Sequence, residues 1–374
     1  MNQKRAPQNG SILFVGKRFY TNKDAREELF GRIYHLPAAW SRAGQDVCLW
    51  LIDYHSRETL EKTVERLGMV STPARGLSFL RMFLGVIRRR PQTVVASGDC
   101  YIALLGWFIA RLSGAKFVLD IYDKYDEFAG YVEPLGIDLF GFVRNRADFR
   151  LYASRALAEH YAGEHPATGF HIAPNGVDPA LFRPLPQEEC RRKLGLPADR
   201  RLIGYFGSME PDRGVQDLVQ AVARLREQGE RIELLLCGKR HADTSIDEPW
   251  VVYRGAVAHA DIPEYMNACD LLALPYRSSQ FMDMGSSCKI AEYLMCKRPL
   301  VSTRTPNFIA NFPQQAEELQ SVLADPGSVA SLAKAIQVQL RDCRIAPVPV
   351  GMDWPSIAGA ALLEIRSVES HAIV

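Results

Sequence analysis

The sequence lacks the spacings that would hold a metal ion. Its eight cysteines stand at 48, 100, 190, 237, 269, 288, 296 and 343, and no two form a C-x-x-C pair. No histidine cluster supplies zinc spacing either. Asp-x-Asp is absent, so a metal-held diphosphate is not indicated. There is no G-x-G-x-x-G after the first strand, no P-loop and no Ser/His/Asp signature, which sets aside dinucleotide, P-loop and hydrolase readings. Charge of one sign is also lacking. Lys and Arg number 45 against 43 Asp and Glu, a net charge of +2 that offers no global field to nucleic acid. The longest apolar run, Tyr101 to Ala110, is cut by Arg111. It falls short of the roughly 20 residues a spanning helix needs. The opening MNQKRAPQNG has no apolar core of a signal peptide. These absences predict reduced thiols in a cytoplasmic protein, soluble or peripheral.

What is present is an ordinary globular composition at a two-domain length. The chain has 374 residues, 47% apolar and 24% charged. Apolar runs alternate with helical periodicity. Strands are expected at Ser11–Val15, Val47–Ile52, Thr93–Ala96, Lys116–Ile121 and Phe170–Ala173. Helices are expected over Leu29–Arg42, Arg75–Arg90, Tyr101–Leu112 (buried) and Ala147–Ala162. A loop is expected at Glu133–Gly136. After a Pro-rich joint, Pro174 to Pro186, the alternation resumes. Strands are expected at Arg201–Phe206, Ile232–Cys237, Trp250–Tyr253, Leu271–Leu274 and Leu300–Ser302. Helices are expected at Val215–Gln228, Ile262–Ala268 with Asp261 as N-cap, Lys289–Cys296 and Ser328–Arg341. This βαβα rhythm predicts an α/β protein of two Rossmann-like domains, 1–180 and 181–350, with a C-terminal segment 351–374. Ligands are expected in a cleft between them. Helix Arg75–Arg90 has two readings: a core-facing helix with cations at its C-terminus, or a surface resting on anionic lipid. The spacing of its Leu and Phe favours the core.

Chemistry concentrates in Ser286–Thr303, SSCKIAEYLMCKRPLVST. Small residues precede a short helix, leaving backbone N–H groups free for an anion. Lys289 adds a cation there, and Glu292, three residues on, adds an acceptor for ribose hydroxyls. The plainer alternative is a surface i, i+3 ion pair. A second loop, Gly207-Ser-Met-Glu-Pro-Asp-Arg-Gly214, follows a strand and opens a helix. Gly207 permits close backbone approach and Arg213 offers a bidentate phosphate contact. Two cations then lie at two strand ends of one sheet, where open α/β sheets bind ligands.

The order PNGVDPALFRP, GYFGSMEPDRGV, RGAVAHADIPEYMNACDLLALPY, SSCKIAEYLMCKRPLVST and MDWPSIA, from about Ala173 to Ala358, resembles GT-B glycosyltransferases of family 4. That resemblance implies two facing Rossmann-like domains, acceptor in the first and nucleotide sugar in the second, with a final helix crossing back to the first. It implies that Glu292 binds ribose as the second glutamate of a Glu-x7-Glu motif. Arg213 and Lys289 then hold the diphosphate, with Gly207, Ser208, Ser286 and Ser287 completing the donor site. Met284 stands where the family's first glutamate falls, and Ser208 where an arginine is usual. The SS-x-K-x-x-E-Y pattern is also similar to that of inverting bacterial glucuronosyltransferases. For catalysis the resemblance points to the cluster Asp120, Tyr122, Asp123 and Asp126, with Asp123 as orienting group or base. Lys17 and Arg18 are further candidates for a diphosphate or a charged acceptor. The activity so implied is metal-independent, retaining transfer from a UDP- or GDP-sugar to a glycan or lipid-linked oligosaccharide. Its setting would be surface polysaccharide or glycolipid synthesis, with peripheral contact to an anionic membrane, without nucleic acid and without a cofactor. The alternatives are an inverting transferase, a sugar-nucleotide epimerase and a non-catalytic nucleotide-sugar-binding protein.

Overall fold

The computed structural model describes residues 11–20, 23–125, 136–162 and 169–371. Asp126 and most of the loop expected over 133–136 lie outside them. The chain forms two units, one of residues 1–176 with 353–374, the other of residues 177–352.

The first unit opens with β1 (Ile12–Lys17), a short hairpin of β2 (Phe19–Tyr20) and β3 (Lys23–Asp24), helix α1 (Gly31–Arg42) and β4 (Val47–Asp53). Next come β5 (Leu60–Val64), β6 (Leu67–Pro73), α2 (Leu77–Arg89), β7 (Thr93–Ser97), α3 (Cys100–Ser113) and β8 (Lys116–Ile121). It continues through α4 (Leu139–Arg144), β9 (Phe149–Tyr152), α5 (Arg155–Ala162) and β10 (Phe170–Ile172). Eight strands make one sheet in the order β10-β9-β8-β7-β1-β4-β6-β5. All neighbours pair parallel except β5, which is antiparallel to β6. The central strands read as unbroken apolar runs because both their faces are covered. Each buried aliphatic side chain there contributes roughly 1.5–3 kcal/mol relative to an exposed one.

Several expectations change here. The helix expected over Ala147–Ala162 is two elements, β9 and α5. Phe149–Tyr152 is drawn into the sheet between β8 and β10, so pairing overrides the local helical pattern. The antiparallel pair β5 and β6 has no counterpart in the expected elements. Helix α3, expected to be buried, leaves Tyr101, Phe108 and Leu112 exposed. In α2 Val86 is buried and Phe79 packs half-buried on Trp50, so one stripe faces the core as favoured, while Leu77, Leu80 and Leu84 stay exposed.

The second unit holds α6 (Gln187–Leu194), β11 (Arg201–Phe206), α7 (Val215–Glu227), β12 (Ile232–Cys237), β13 (Val251–Tyr253), α8 (Ile262–Ala268) and β14 (Leu271–Leu274). It closes with α9 (Gln280–Met284), α10 (Cys288–Met295), β15 (Leu300–Thr303), α11 (Pro306–Ile309), α12 (Pro313–Glu318), β16 (Leu323–Ala324) and α13 (Val329–Asp342). Its six strands are parallel, in the order β13-β12-β11-β14-β15-β16. Asp261 stands before α8 without capping it through its side chain. Its backbone is already helical, and Pro263 removes one of the N–H groups a cap would receive.

The last helix, α14 (Trp354–His371), belongs to the first unit and packs on α1. The Trp40 indole N–H donates to the Ala358 carbonyl at 2.6 Å. Trp354 stacks on His35 with centroids 4.9 Å apart. Gly176 lies so close to Trp354 that a side chain there would collide with the indole.

Candidate functional site

In the second sheet the strand order reverses beside β11, whose neighbours are β12 and β14. Open α/β sheets bind ligands outside the carboxyl ends of strands at such a switch point. Gly207 follows β11 there with φ 153°. A Cβ on Gly207 would run into the Lys289 side chain, so the lysine of α10 lies directly over this loop. Gly214, φ 66°, closes the loop's 3₁₀ turn Pro211–Arg213 and sits against the Pro275 carbonyl, with no room for a side chain. Glycine at both positions therefore brings the β11 loop, the end of β14 and the start of α10 together.

Arg213 projects into this junction. Its Nη1 donates to the Met282 sulfur at 2.7 Å, a weak acceptor for a guanidinium. Its Nε is buried without a hydrogen-bond partner, and so is Glu210 Oε2, 3.9 Å away. Asp212 lies 3.7 Å from the same Nε. Burial works to push the Glu210 carboxyl up, but the Ser208 hydroxyl and the charges of Arg213 and Lys289 hold it below the usual range. Glu210 thus lies in the combined field of both cations, a residue sequence reasoning passed over. Among the described residues no carboxylate lies within 4 Å of Lys289, so the plain Lys289–Glu292 ion pair does not form.

Glu292 instead sits 7% exposed on α10, with His259 Nε2 3.4 Å from its Oε1. His259 packs edge-on against Phe182 at 5.2 Å. This second missed residue comes from the loop before α8, and only folding brings it to the carboxylate. Ser287 precedes α10; its hydroxyl lies 3.1 Å from the Tyr276 hydroxyl, and its N–H donates to Asn307 Oδ1 at 3.4 Å. Ser286 is adjacent and half-buried, and Met284 ends α9. The Ser208 carbonyl accepts from the Tyr205 hydroxyl at 2.6 Å. Burial pushes the neighbouring Cys288 thiol up to about 12. Gly207, Ser208, Arg213, Ser286, Ser287, Lys289 and Glu292 thus gather at one end of one sheet.

In the first unit the candidates separate by burial. Asp120 is fully buried in β8, its oxygens held by Arg32 Nη2 at 2.7 Å and Nε at 2.9 Å, and by the Ser97 hydroxyl at 2.5 Å. Arg32 also donates to the Ala173 carbonyl at 2.7 Å and to Asn175 Oδ1 at 3.3 Å. Asp120 therefore ties α1 to the sheet and to the chain after β10, a structural part that a catalytic one would have to share. Tyr122 is also buried, edge-on to Tyr125, and burial pushes its phenol well up. Among the described residues it packs in the core, 4% exposed. Asp123 alone of these three is half-buried, just past the carboxyl end of β8. Arg18 is drawn into a double ion pair, 2.7 Å from Asp24 and 2.9 Å from Asp53, which makes it structural. Lys17 lies 3.4 Å from Asp99, whose Oδ1 also accepts from the Tyr54 hydroxyl at 3.1 Å. Asp99 caps α3 by accepting from two backbone N–H groups.

Two parallel-sheet Rossmann-like units in one chain define the GT-B fold. Residues 200–342 match the family Glycosyl transferases group 1. The 2-deoxystreptamine glucosyltransferase of Streptomyces kanamyceticus is 26% identical over 296 residues, 71% of this chain and 73% of that one. Among solved structures, sucrose-phosphate synthase of Thermosynechococcus elongatus superposes with TM-score 0.66 at 16% identity, over 97% of this chain and 98% of the other. HepE of Anabaena in complex with UDP superposes with TM-score 0.65 at 18% identity, over the same shares. These findings support a glycosyltransferase with the GT-B fold, its glycosyl transferases group 1 match lying in the second unit. Among the described residues no helix is long and apolar enough to cross a membrane.

Proposed function

We propose that the chain transfers a sugar from a UDP- or GDP-sugar to a glycan or lipid-linked oligosaccharide, without a metal ion and with retention at the anomeric carbon. The observation that carries this reading is the convergence of Arg213 and Lys289 on the loop after β11, where among the described residues neither cation hydrogen-bonds a carboxylate. Two cations at a switch point suit a diphosphate, and the Arg213 guanidinium would exchange a thioether for a phosphate oxygen. Glu292 is assigned to the ribose hydroxyls, with His259 steadying it. HepE was solved with UDP, and this supports a nucleoside diphosphate as the ligand class.

In the reaction the bond between anomeric carbon and diphosphate oxygen breaks and one to the acceptor oxygen forms. Negative charge grows on the leaving diphosphate. Arg213 and Lys289 stabilise it, the work a divalent ion would otherwise do. The departing phosphate oxygen takes the acceptor's proton, so retention needs no separate base. Asp123 is assigned to orient the acceptor hydroxyl. The setting that fits is assembly of surface polysaccharide or glycolipid at the cytoplasmic face of a membrane.

The test has two readouts. A thermal-shift panel of UDP-, GDP- and other nucleotide sugars should show stabilisation by one nucleotide class. NMR of the first-formed product should show the donor's anomeric configuration. An inverted product would discard retention and give Asp123 the role of base. Donor interconversion without acceptor would make the protein an epimerase. Binding without turnover on any acceptor would make it a non-catalytic sugar-nucleotide binder.

A further inference from the structure

The loop after β11 carries more negative charge than positive. Between Gly207 and Gly214 stand Glu210, Asp212 and Arg213, two carboxylates to one guanidinium. For a loop that meets a diphosphate the opposite balance is the simple expectation, since each anionic neighbour repels the ligand. Glu210 is the carboxylate that bears on the site, and nothing so far gives it a part.

Its position is set by the backbone. Glu210 precedes the 3₁₀ turn Pro211–Arg213, and the Arg213 N–H donates to the Glu210 carbonyl at 2.9 Å. The turn brings the two side chains to one side of the loop. Glu210 Oε2 and Arg213 Nε lie 3.9 Å apart, both buried, and among the described residues neither has a hydrogen-bond partner. That distance is too long for a hydrogen bond and short enough for strong Coulomb attraction. A settled structural pair beside the same loop differs. Arg277, whose N–H donates to the Asp212 carbonyl, closes on Asp217 at 2.6 and 2.7 Å through two nitrogens. Lys289, lying over Gly207, adds its charge to the field at Glu210. The Glu210 side chain as a whole is 46% exposed, so its carboxylate has a way out to water. It therefore offsets two cations in part while bonded to neither.

We propose that Glu210 is a resident counter-ion of the donor site, competing with the diphosphate for Arg213 and Lys289. With the site empty it stabilises cations that are otherwise without a hydrogen-bonded anion. A bound diphosphate displaces it towards solvent, which lowers affinity for the donor and for the nucleoside diphosphate left after transfer. As that product leaves, Glu210 returns to the cations and favours its release. The inference rests on the donor reading above, which makes Arg213 and Lys289 the partners of the diphosphate.

The charged and titratable groups facing Glu210 and its cation are Asp212 of the same loop, Lys289 of α10 and the Tyr205 phenol of β11. Lys239, after β12, meets the loop through its carbonyl, which accepts from the Met209 N–H at 3.0 Å. In the free protein the cations favour the ionised carboxylate of Glu210. A bound diphosphate draws on the same cations and adds negative charge, so the carboxyl holds a proton more readily in the complex. Binding then takes up a proton, and it strengthens as pH falls.

The experiment is calorimetry of UDP and of GDP with the full chain and with Glu210→Gln, from pH 8 to pH 5. At pH 8 the variant should bind the preferred nucleotide roughly fivefold or more tightly, the effect of one unit charge about 4 Å away near water. The ratio of the two affinities should shrink towards one as pH falls. The nucleotide's own titration is common to both proteins, so that ratio reports Glu210. Equal affinity at pH 8, or a ratio that does not change with pH, would overturn the proposal. Weaker binding by the variant would overturn it too, and make Glu210 a group that positions Arg213. Loss of affinity for UDP-glucose or GDP-mannose with the bare nucleotide unchanged would give Glu210 to the sugar instead. The two claims separate on the parent protein. If neither nucleotide binds parent or variant, the donor reading fails and this one with it; if one binds both alike, only this one fails.

Discussion

Arg213 is a guanidinium held beside a thioether, two aromatic rings and two carboxylates it does not hydrogen-bond. The Tyr276 and Phe281 rings lie 5.7 and 6.0 Å from its central carbon. This cage fixes the side chain before any ligand arrives, so little freedom is lost on binding. Arg213→Ala and Lys289→Ala should each weaken UDP or GDP binding by about 1.5–3 kcal/mol, the range for hydrogen bonds to charged groups. Calorimetry showing parental affinity in both variants would take them out of the site. The aspartates of the first unit should divide differently. Asp120→Asn leaves Arg32 buried with a weakened partner, and breaking such a pair costs about 3–5 kcal/mol. Urea unfolding should show most of that loss, with donor affinity unchanged in the folded protein. Asp123→Asn should keep stability and lower turnover more than donor affinity, and parental rates would remove its assigned role. Nothing in the residues around position 120 distinguishes these aspartates along the chain. The distinction comes from Arg32, 88 positions earlier.

At the scale of elements, the parallel strands were the most legible part. Runs such as IELLLC at β12 are buried throughout because both sheet faces are covered, apolar but for Glu233, which pairs with Arg200, and their ends at glycine mark the loops that carry the site. Ser286–Thr303 was legible for the same reason, since it lies between two such strands. What stayed hidden depends on tertiary partners. Phe149–Tyr152 becomes a strand only because β8 and β10 take it between them. The pattern of α2 shows an apolar stripe but not which stripe meets the sheet, and its phenylalanines turn inward while its leucines do not. His259 and Glu210 were missed because neither belongs to a local motif. One further consequence attaches to the β11 loop. Gly214→Ala places a methyl group against the Pro275 carbonyl at φ 66°. Stability should fall by more than about 1 kcal/mol. Donor affinity should fall with it, because the shifted loop carries Arg213. A melt equal to the parent's would show that the loop yields without strain.

For the whole molecule, chain order and unit membership part company at the C-terminus. The chain leaves the first unit after Gly176, completes the second, and returns at Asp353 to add α14 to α1. Trp354 is the anchor of that return, 9% exposed, stacked on His35 and closed in by Gly176. The first sheet's core is therefore completed by residues more than 170 positions later than the β10 strand. Replacing Trp354 by Ala removes a large buried side chain, and such changes cost about 3–5 kcal/mol. The loss should be local in space and remote in sequence. Hydrogen exchange of Trp354→Ala should accelerate in α1 and in the strands β1 and β4 beneath it. Saturating UDP or GDP should instead slow exchange around β11, β14 and α10, where the donor residues stand. If the Trp354 variant lost protection chiefly within 177–352, α14 would be stabilising the second unit, and the assignment of the last helix to the first would fall.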